Sequence, residues 1–209
     1  MKPFPKALHR LSIHGDGDRD RDGDGNREGD QTEKKKKIEK KTLNAENEKS
    51  RGLLPKSFLA FEGGLHVFTD GACEPNPGPG GWAFVAIENG KPIHSEKGFE
   101  PVTTNNRMEM QAVIAALTWL QANNLAHAKL HTDSAYCEKG ANEWRHGWKR
   151  KAWTRGAALI PNADLWQAMS AILDAFPISL HWVRGHAGVA GNEQADRLAA
   201  CALKIGASK

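Results

Sequence analysis

The sequence has few cysteines and no long apolar run. Its 209 residues include Cys73, Cys137 and Cys201, which lie far apart and form no C-x-x-C pair. This pattern argues against a disulfide framework and a thiolate metal site, so we expect a reducing, cytoplasmic setting. No apolar run approaches the length of a membrane span, and the N-terminal residues lack the apolar segment of a signal peptide. We therefore expect no membrane partner.

The first part of the chain lacks the apolar residues that a core requires. From Gly15 to Lys41 the sequence is of low complexity, rich first in Asp and Gly and then in Lys. Such a stretch cannot offset its ordering entropy, so we predict a disordered charged tail over residues 1–60 and one folded domain over residues 61–209. The tail lysines are either solvated or a weak, salt-sensitive nucleic-acid tether, and a downstream translation start is a third alternative.

After Gly64 the hydrophobic pattern changes to that of an α/β domain. Strands are predicted at 65–70, in a hairpin that turns at Asn89-Gly90, at 128–133 and at 178–183. Helices are predicted over 106–124, within 134–156, over 162–176 and over 191–204, the last with Asn192 as its N-cap. The resulting order, βββαβααβα, indicates a mixed five-stranded sheet with helices packed on it.

Four carboxylates hold comparable places in this order. Asp70 ends the first strand and Asp133 ends the fourth, while Glu109 and Asp196 lie about one turn into two helices. Strand ends and neighbouring helix N-termini open onto one crevice, where crowded anions require a hard cation. The pattern predicts a Mg²⁺ site, with two ions suited to phosphoryl transfer. Taken singly, each acid has an alternative role. Asp70 could cap the following turn, and Asp133 could be the N-cap of the helix that starts at Ser134. Glu109 and Asp196 could be first-turn acids favoured by the helix dipole.

Seven stretches resemble the ribonuclease HI family, bacterial enzymes that cut the RNA strand of RNA–DNA hybrids. They stand in the family's order and close to its spacing, and are FTDGACEPNPGPGG, TTNNRMEM, TDSAY, WKRKAW, NADLWQ, WVRGHAGVAGNEQAD and RLA. The resemblance covers residues 65 to about 205. It implies a ribonuclease H-like fold and a Mg²⁺-dependent endonuclease whose products carry 5′-phosphate and 3′-hydroxyl ends.

The resemblance also implies roles for individual residues of the catalytic site. It makes Asp70, Glu109, Asp133 and Asp196 the ligands of two Mg²⁺ ions, with Mn²⁺ as an alternative metal. It assigns His186, in the glycine-flanked loop RGHAG, to proton handling and product release. The alternative for His186 is an ordinary exposed loop histidine.

A further set of residues is implied to contact the hybrid duplex. Near the acids these are Cys73, Asn76, Thr104, Asn105 and Asn106, and in the basic segment that follows the fourth strand they are Trp144, Trp148, Lys149, Arg150 and Lys151. The first group would face the RNA strand and the minor groove, with Thr104 on a DNA phosphate, and the second would grip the DNA backbone. Without the family match, Asn76 would be a turn residue, Asn105 a helix cap and the two tryptophans partly core.

The sequence departs from the family pattern at two places. Ala135 stands where relatives commonly carry a polar side chain that contacts the groove, and the stretch GAALIPN has none of the lysines that relatives often have. We therefore expect modest substrate affinity with the chemistry intact. We also expect a monomer with no obligate protein partner.

Three other functions use the same fold. They are a catalytically silent hybrid-binding protein, an integrase or transposase of the same superfamily, and the ribonuclease H domain of reverse transcriptases. Silent relatives lose one or more of the acids, and all four are present here. The other two come with additional domains that this sequence does not contain.

Overall fold

The structure is a computed structural model that describes residues 63–208. The tail predicted over residues 1–60 lies outside the described residues. Within the described range, no helix is long and apolar enough to cross a bilayer.

Seven strands and five α-helices make up the described residues. The strands are β1 (Leu65–Cys73), β2 (Gly78–Glu88), β3 (Lys91–Thr103), β4 (Lys129–Thr132), β5 (Thr154–Arg155), β6 (Ala158–Leu159) and β7 (Leu180–Trp182). The helices are α1 (Asn105–Ala122), α2 (Ala135–Lys139), α3 (Arg145–Arg150), α4 (Ala163–Ala175) and α5 (Ala190–Ala207), and a π-helical turn (Gly140–Trp144) joins α2 to α3. The predicted order of major elements is confirmed, whereas the short β5–β6 hairpin and the π-helical turn were not predicted.

The main sheet has five strands in the order β3-β2-β1-β4-β7. Antiparallel pairing joins β1 to β2 and β2 to β3, with the β2–β3 turn at Asn89 and Gly90, which both have positive φ. Strands β4 and β7 run parallel to β1. The predicted mixed α/β sheet and its hairpin turn are therefore confirmed.

Alternating residues of the sheet face two separate apolar layers. Leu65 and Val67 of β1 belong to the larger cluster, which includes the buried faces of α1 and α4. Phe68 belongs to the smaller cluster, with Val85 and with Ala195 of α5. Because successive strand residues point to opposite faces, α5 covers one side of the sheet while α1 and α4 cover the other.

The start of α5 differs from the prediction. The helix begins at Ala190 with Val189 at the N-cap position, so Asn192 lies inside the helix and is 1% exposed. The expected N-cap role of Asn192 is therefore wrong. Asn is a favoured capping residue, but here the preceding alanine and glycine already adopt helical geometry.

The packing of α5 on β2 depends on a glycine. A Cβ atom on Gly81 would overlap the carbonyl oxygen of Ala199 and the amide nitrogen of Leu203, which are backbone atoms of α5. Backbone atoms cannot move aside as a flexible side chain can. Gly81 therefore sets how closely α5 approaches the sheet.

We predict that Gly81→Ala lowers the free energy of unfolding by about 1–3 kcal/mol, the usual cost of overpacking. The control is Gly147→Ala in α3, where an added Cβ meets no atom within 4 Å. This control should keep or raise stability, by up to about 1 kcal/mol, because alanine favours helix. Urea unfolding midpoints report the stabilities of the Gly81→Ala and Gly147→Ala variants. Equal midpoints for the two variants would contradict the prediction.

Candidate active site

Three of the predicted acids meet at one end of the sheet. Asp70 lies on β1, Asp133 directly follows β4, and Glu109 lies in the second turn of α1. One carboxylate oxygen of each can be chosen so that all three lie within 4.8 Å of one another. The cause is the parallel pairing of β1 with β4, in which Thr69 faces Thr132, so that the residues after them reach the same edge.

A glycine lets Glu109 approach the strand. A Cβ atom on Gly71 would overlap the amide nitrogen of Glu109 and the carbonyl carbon of Met108. Only a residue without a side chain permits this contact between β1 and the first turns of α1. The close approach places the Glu109 carboxylate beside Asp70.

The alternative roles considered for Asp133, Glu109 and Asp196 do not match the local structure. Ser134 rather than Asp133 caps α2, since its hydroxyl accepts from the amide of Cys137. The first turn of α1 contains no acidic residue, and the acid in the first turn of α5 is Glu193. Neither Glu109 nor Asp196 is therefore a first-turn acid of its helix.

Burial and mutual repulsion disfavour the charged forms of this cluster. Asp70 is 8% exposed and Glu109 is 7% exposed. Desolvation, followed by the charge of Asp133, raises the pKa of Asp70 to about 7, although the Gly71 amide donates a hydrogen bond of 2.7 Å to it. Desolvation, followed by the charge of Asp70, raises the pKa of Glu109 well above its ordinary value. The protein places these carboxyls where ionisation requires a compensating positive charge.

The donor set fits a hard divalent cation. All three groups offer carboxylate oxygens, the ligands that Mg²⁺ and Ca²⁺ prefer. The Glu109 Oε2 atom is buried and has no hydrogen-bond partner among residues 63–208. A bound cation would satisfy this oxygen and offset the repulsion between the carboxylates.

The fourth acid lies at the wall of the same cavity. This cavity of about 480 Å³ is lined by Asp70, Glu109 and Asp133 and also by Asp196 and His186. The Asp196 side chain is 39% exposed and lies outside the compact triad, with one oxygen 3.9 Å from His186 Nδ1. His186 has a positive φ and a side chain that is 82% exposed. The structure thus places the histidine at the open side of the acid cavity.

The predicted RNA-side residues lie around the turn that follows β1. Cys73 and Asn105 line the acid cavity. The Asn76 side-chain oxygen accepts a hydrogen bond of 3.2 Å from the Asn105 amide, which ties the Gly-Pro turn to α1. The N-cap of α1 is Thr104, whose hydroxyl accepts from the Arg107 amide, so the alternative of Asn105 as the cap is wrong.

Four of the five predicted DNA-side residues, Trp144, Trp148, Arg150 and Lys151, line a separate cavity of about 740 Å³. Asn106, predicted on the RNA side, lines this cavity and not the acid cavity, and Lys149 is not among the lining residues. Trp148 also packs against the larger core cluster, while Trp144 is 39% exposed. The Lys149 ammonium lies 2.5 Å from the Asp174 carboxylate. The basic segment therefore contains an internal ion pair as well as groups that face the cavity.

Two contacts to Asp133 were not foreseen from the sequence. The Asn192 side-chain nitrogen donates to Asp133 Oδ2 at 3.1 Å, and the Trp182 indole nitrogen donates to the Asp133 carbonyl oxygen at 3.0 Å. The only sequence signal was that Asn192 precedes Asp196 by four residues, which places both on one helix face.

Comparison with known proteins gives a consistent result over this region. The family model described as RNase H matches residues 62–204. The chain is 48% identical over 141 residues to a ribonuclease H of Nitrosomonas eutropha, covering 65% of this chain and 86% of that protein. It is 49% identical over 138 residues to a ribonuclease H of Herminiimonas arsenicoxydans, covering 65% and 91% respectively.

A solved structure with the same fold is the RNase H1 of the halophilic archaeon Halobacterium salinarum. It has a TM-score of 0.53 and 29% identity, with coverage of 68% of this chain and 99% of that one. The crystal structure of LC9-RNase H1 has a TM-score of 0.57 and 31% identity, with coverage of 67% and 72%.

Burial of Asp70 generates a prediction for the metal-free protein. A carboxyl whose pKa is raised on folding stabilises the fold below its unfolded pKa, near 4, and this contribution is lost as the pH rises through about 7. We predict that Asp70→Asn, which cannot ionise, is more stable than the wild type at pH 8 in EDTA, by on the order of 2 kcal/mol. The difference should shrink towards pH 4.

The control for this experiment is Asp164→Asn. The hydrogen bond from Arg107 lowers the pKa of Asp164, so its stabilisation is present above the unfolded pKa and this variant should lose stability at neutral pH. Urea unfolding at several pH values measures both variants. An Asp70→Asn protein that is less stable than the wild type at pH 8 would refute the account of this cluster.

Proposed function

Since this chain belongs to the RNase H family, we propose that its acid cluster is the divalent-metal centre of a ribonuclease H. The enzyme hydrolyses the RNA strand of RNA–DNA hybrids. The single observation that carries the assignment of the centre is the meeting of Asp70, Glu109 and Asp133 within 4.8 Å, with two of them buried. Nothing favours the alternative of a catalytically silent hybrid-binding protein.

We propose Mg²⁺ as the metal, with Mn²⁺ as an alternative. Asp70, Glu109 and Asp133 would hold it, and Asp196 would complete the set for a second ion. When bound, two such ions supply an activated water and neutralise charge at the scissile phosphate and the leaving oxygen. Asp196 is more exposed than the two buried acids of the compact triad, and a less buried ligand can adjust as substrate arrives. This difference supports assigning the triad to one ion and Asp196 to the second.

Groups of the protein itself would position the substrate and transfer protons. The cavity wall would align the RNA phosphate with the carboxylates, and His186 would accept or donate a proton at the open side of the cavity. Its exposure and its position beside Asp196 support this role, since the ring can reach both solvent and the cavity. Cleavage would leave 5′-phosphate and 3′-hydroxyl ends.

The two cavities suggest how the two strands are distinguished. Around the acid cavity, Cys73, Asn76 and Asn105 would contact the RNA strand and the minor groove, with Thr104 near a DNA phosphate, and Asn106 would reach the minor groove from the lining of the second cavity. The basic and aromatic cavity would contact the DNA backbone through Trp144, Trp148, Arg150 and Lys151, with Lys149 as a further contact outside the cavity lining, where it also pairs with Asp174. Its mixture of indole rings and cations supports this role, because it suits a phosphate backbone without sequence preference.

We also propose a monomeric, cytoplasmic enzyme with a charged tail over residues 1–60 outside the catalytic domain. All three cysteines are free thiols, in keeping with a reducing compartment.

The proposed metal centre predicts the outcome of a cleavage assay. Glu109→Gln removes one buried charge with little change in shape, and should reduce cleavage of the RNA strand of a labelled hybrid by about 100-fold or more, as expected for the loss of a group that stabilises transition-state charge. The matched control is Glu88→Gln, at the exposed end of β2, which should cleave like the wild type.

The assay uses purified full-length protein with Mg²⁺ and then with EDTA, on the hybrid and on matched RNA and DNA duplexes. We expect metal-dependent cleavage of the hybrid's RNA strand alone. Wild-type rates for Glu109→Gln would refute the assignment of this acid, and cleavage in EDTA would refute the metal centre.

A further inference from the structure

Asn192 is tied to the metal-centre acids although no catalytic or binding role was predicted for it. It lies in the first turn of α5, is 1% exposed, and donates from Nδ2 to Asp133 Oδ2 at 3.1 Å. An amide nitrogen facing a carboxylate is the only arrangement of this pair that forms a hydrogen bond, since two oxygens would repel. The contact therefore fixes the orientation of the amide.

Burial of this amide has an energetic cost for one of its two polar atoms. Its Oδ1 atom is buried and has no hydrogen-bond partner within residues 63–208. A buried polar atom without a partner carries a desolvation penalty, which an apolar side chain of similar volume would avoid. Since the residue does not cap the helix, its contact with Asp133 is the remaining reason for a polar group here.

Asp133 also contacts β7 and the loop that follows it. The Trp182 indole nitrogen donates to its carbonyl oxygen at 3.0 Å. A Cβ atom on Gly185 would lie 2.6 Å from Asp133 Oδ2, so this oxygen rests against the backbone of the loop after β7. Three contacts from β7, its following loop and α5 thus hold the residue and one of its carboxylate oxygens.

The Asn192 side chain is a neutral amide, and its neutrality determines how it acts on the Asp133 carboxylate. An arginine or lysine at position 192 would neutralise the carboxylate and compete with a cation for it. An amide orients the carboxylate through one oxygen but leaves its negative charge in place. Among the described residues, no donor reaches the other oxygen, Asp133 Oδ1.

We propose that Asn192 is a positioning residue that orients the Asp133 carboxylate as a ligand of the divalent cation, an inference that rests on the proposed function. The same contact joins the acid on β4 to the helix that carries Asp196 one turn later. Asn192 thereby sets the relative positions of two acids that come from different elements.

The test measures Mg²⁺ binding by calorimetry on the full-length protein, with metal first removed by EDTA and dialysis. Asn192→Ala and Asn192→Leu both remove the donor, and the leucine variant keeps the side-chain volume in case alanine impairs folding. We expect the Mg²⁺ dissociation constant to rise about 10-fold or more in both variants, the usual effect of losing a group that orients a metal ligand.

The matched control is Asn142→Ala. Asn142 also makes side-chain hydrogen bonds, to the backbone of Leu180 on β7 and to Glu138, but it does not contact the acids. The Asn142→Ala substitution should lower the free energy of unfolding and leave the Mg²⁺ affinity at the wild-type value. Affinities are measured under conditions where circular dichroism shows every variant folded.

Two results would overturn the proposal. Wild-type Mg²⁺ affinity in both Asn192 variants would exclude the positioning role and leave the proposed function intact if the wild type cleaves hybrids. An equal loss of affinity in Asn142→Ala would show a general structural effect instead. A wild-type protein that neither binds Mg²⁺ nor cleaves would overturn this proposal and the proposed function together.

Discussion

The architecture of the site depends on electrostatic repulsion between carboxylates that the fold holds together away from water. Asp70 and Glu109 are both nearly buried, and one oxygen of each lies within 4.8 Å of Asp133. No basic side chain of the described residues forms an ion pair with these three acids. Such a cluster stores unfavourable energy until protons or a cation reduce its charge. The same feature that destabilises the metal-free protein therefore creates its affinity for a divalent metal.

The fold brings these acids together through backbone geometry. Parallel pairing of β1 with β4 sets Asp70 beside Asp133, and the absence of a side chain at Gly71 admits the segment that carries Glu109. On the other face of the sheet, Gly81 lets α5 pack closely, and this helix supplies Asp196 and Asn192. Asp70 lies on a strand, Asp133 directly follows one, and Glu109 and Asp196 lie on helices, so the relative positions of these acids depend on the packing of the whole domain.

Much of the fold could be predicted from the sequence because its signals are local. Alternating and helical apolar spacing gave the major elements, and an Asp at the end of each of two predicted strands indicated a shared crevice. The acids do meet, although β1 continues beyond Asp70 to Cys73 and β4 ends just before Asp133. Contacts between distant segments could not be predicted in this way. The burial of Asn192 against Asp133 requires the tertiary packing of α5, and by local preference an asparagine at that place favours a cap. The ion pair between Lys149 and Asp174 could not be predicted either, because the basic segment alone does not show which distant acid packs against it.

In the metal-free protein, a buried carboxyl of this cluster should carry a proton that a divalent cation replaces. The most direct test measures protons released when Mg²⁺ binds at pH 6.5, by calorimetry in buffers that differ in ionisation enthalpy. Because burial and the neighbouring charge of Asp133 raise the pKa of Asp70 to about 7, roughly one proton should leave per protein. The Asp70→Asn, Glu109→Gln double variant lacks both titrating carboxyls and two of the proposed ligands, so it should neither bind Mg²⁺ nor release protons at this pH. Mg²⁺ binding at this pH without proton release, or no binding at all, would contradict the account.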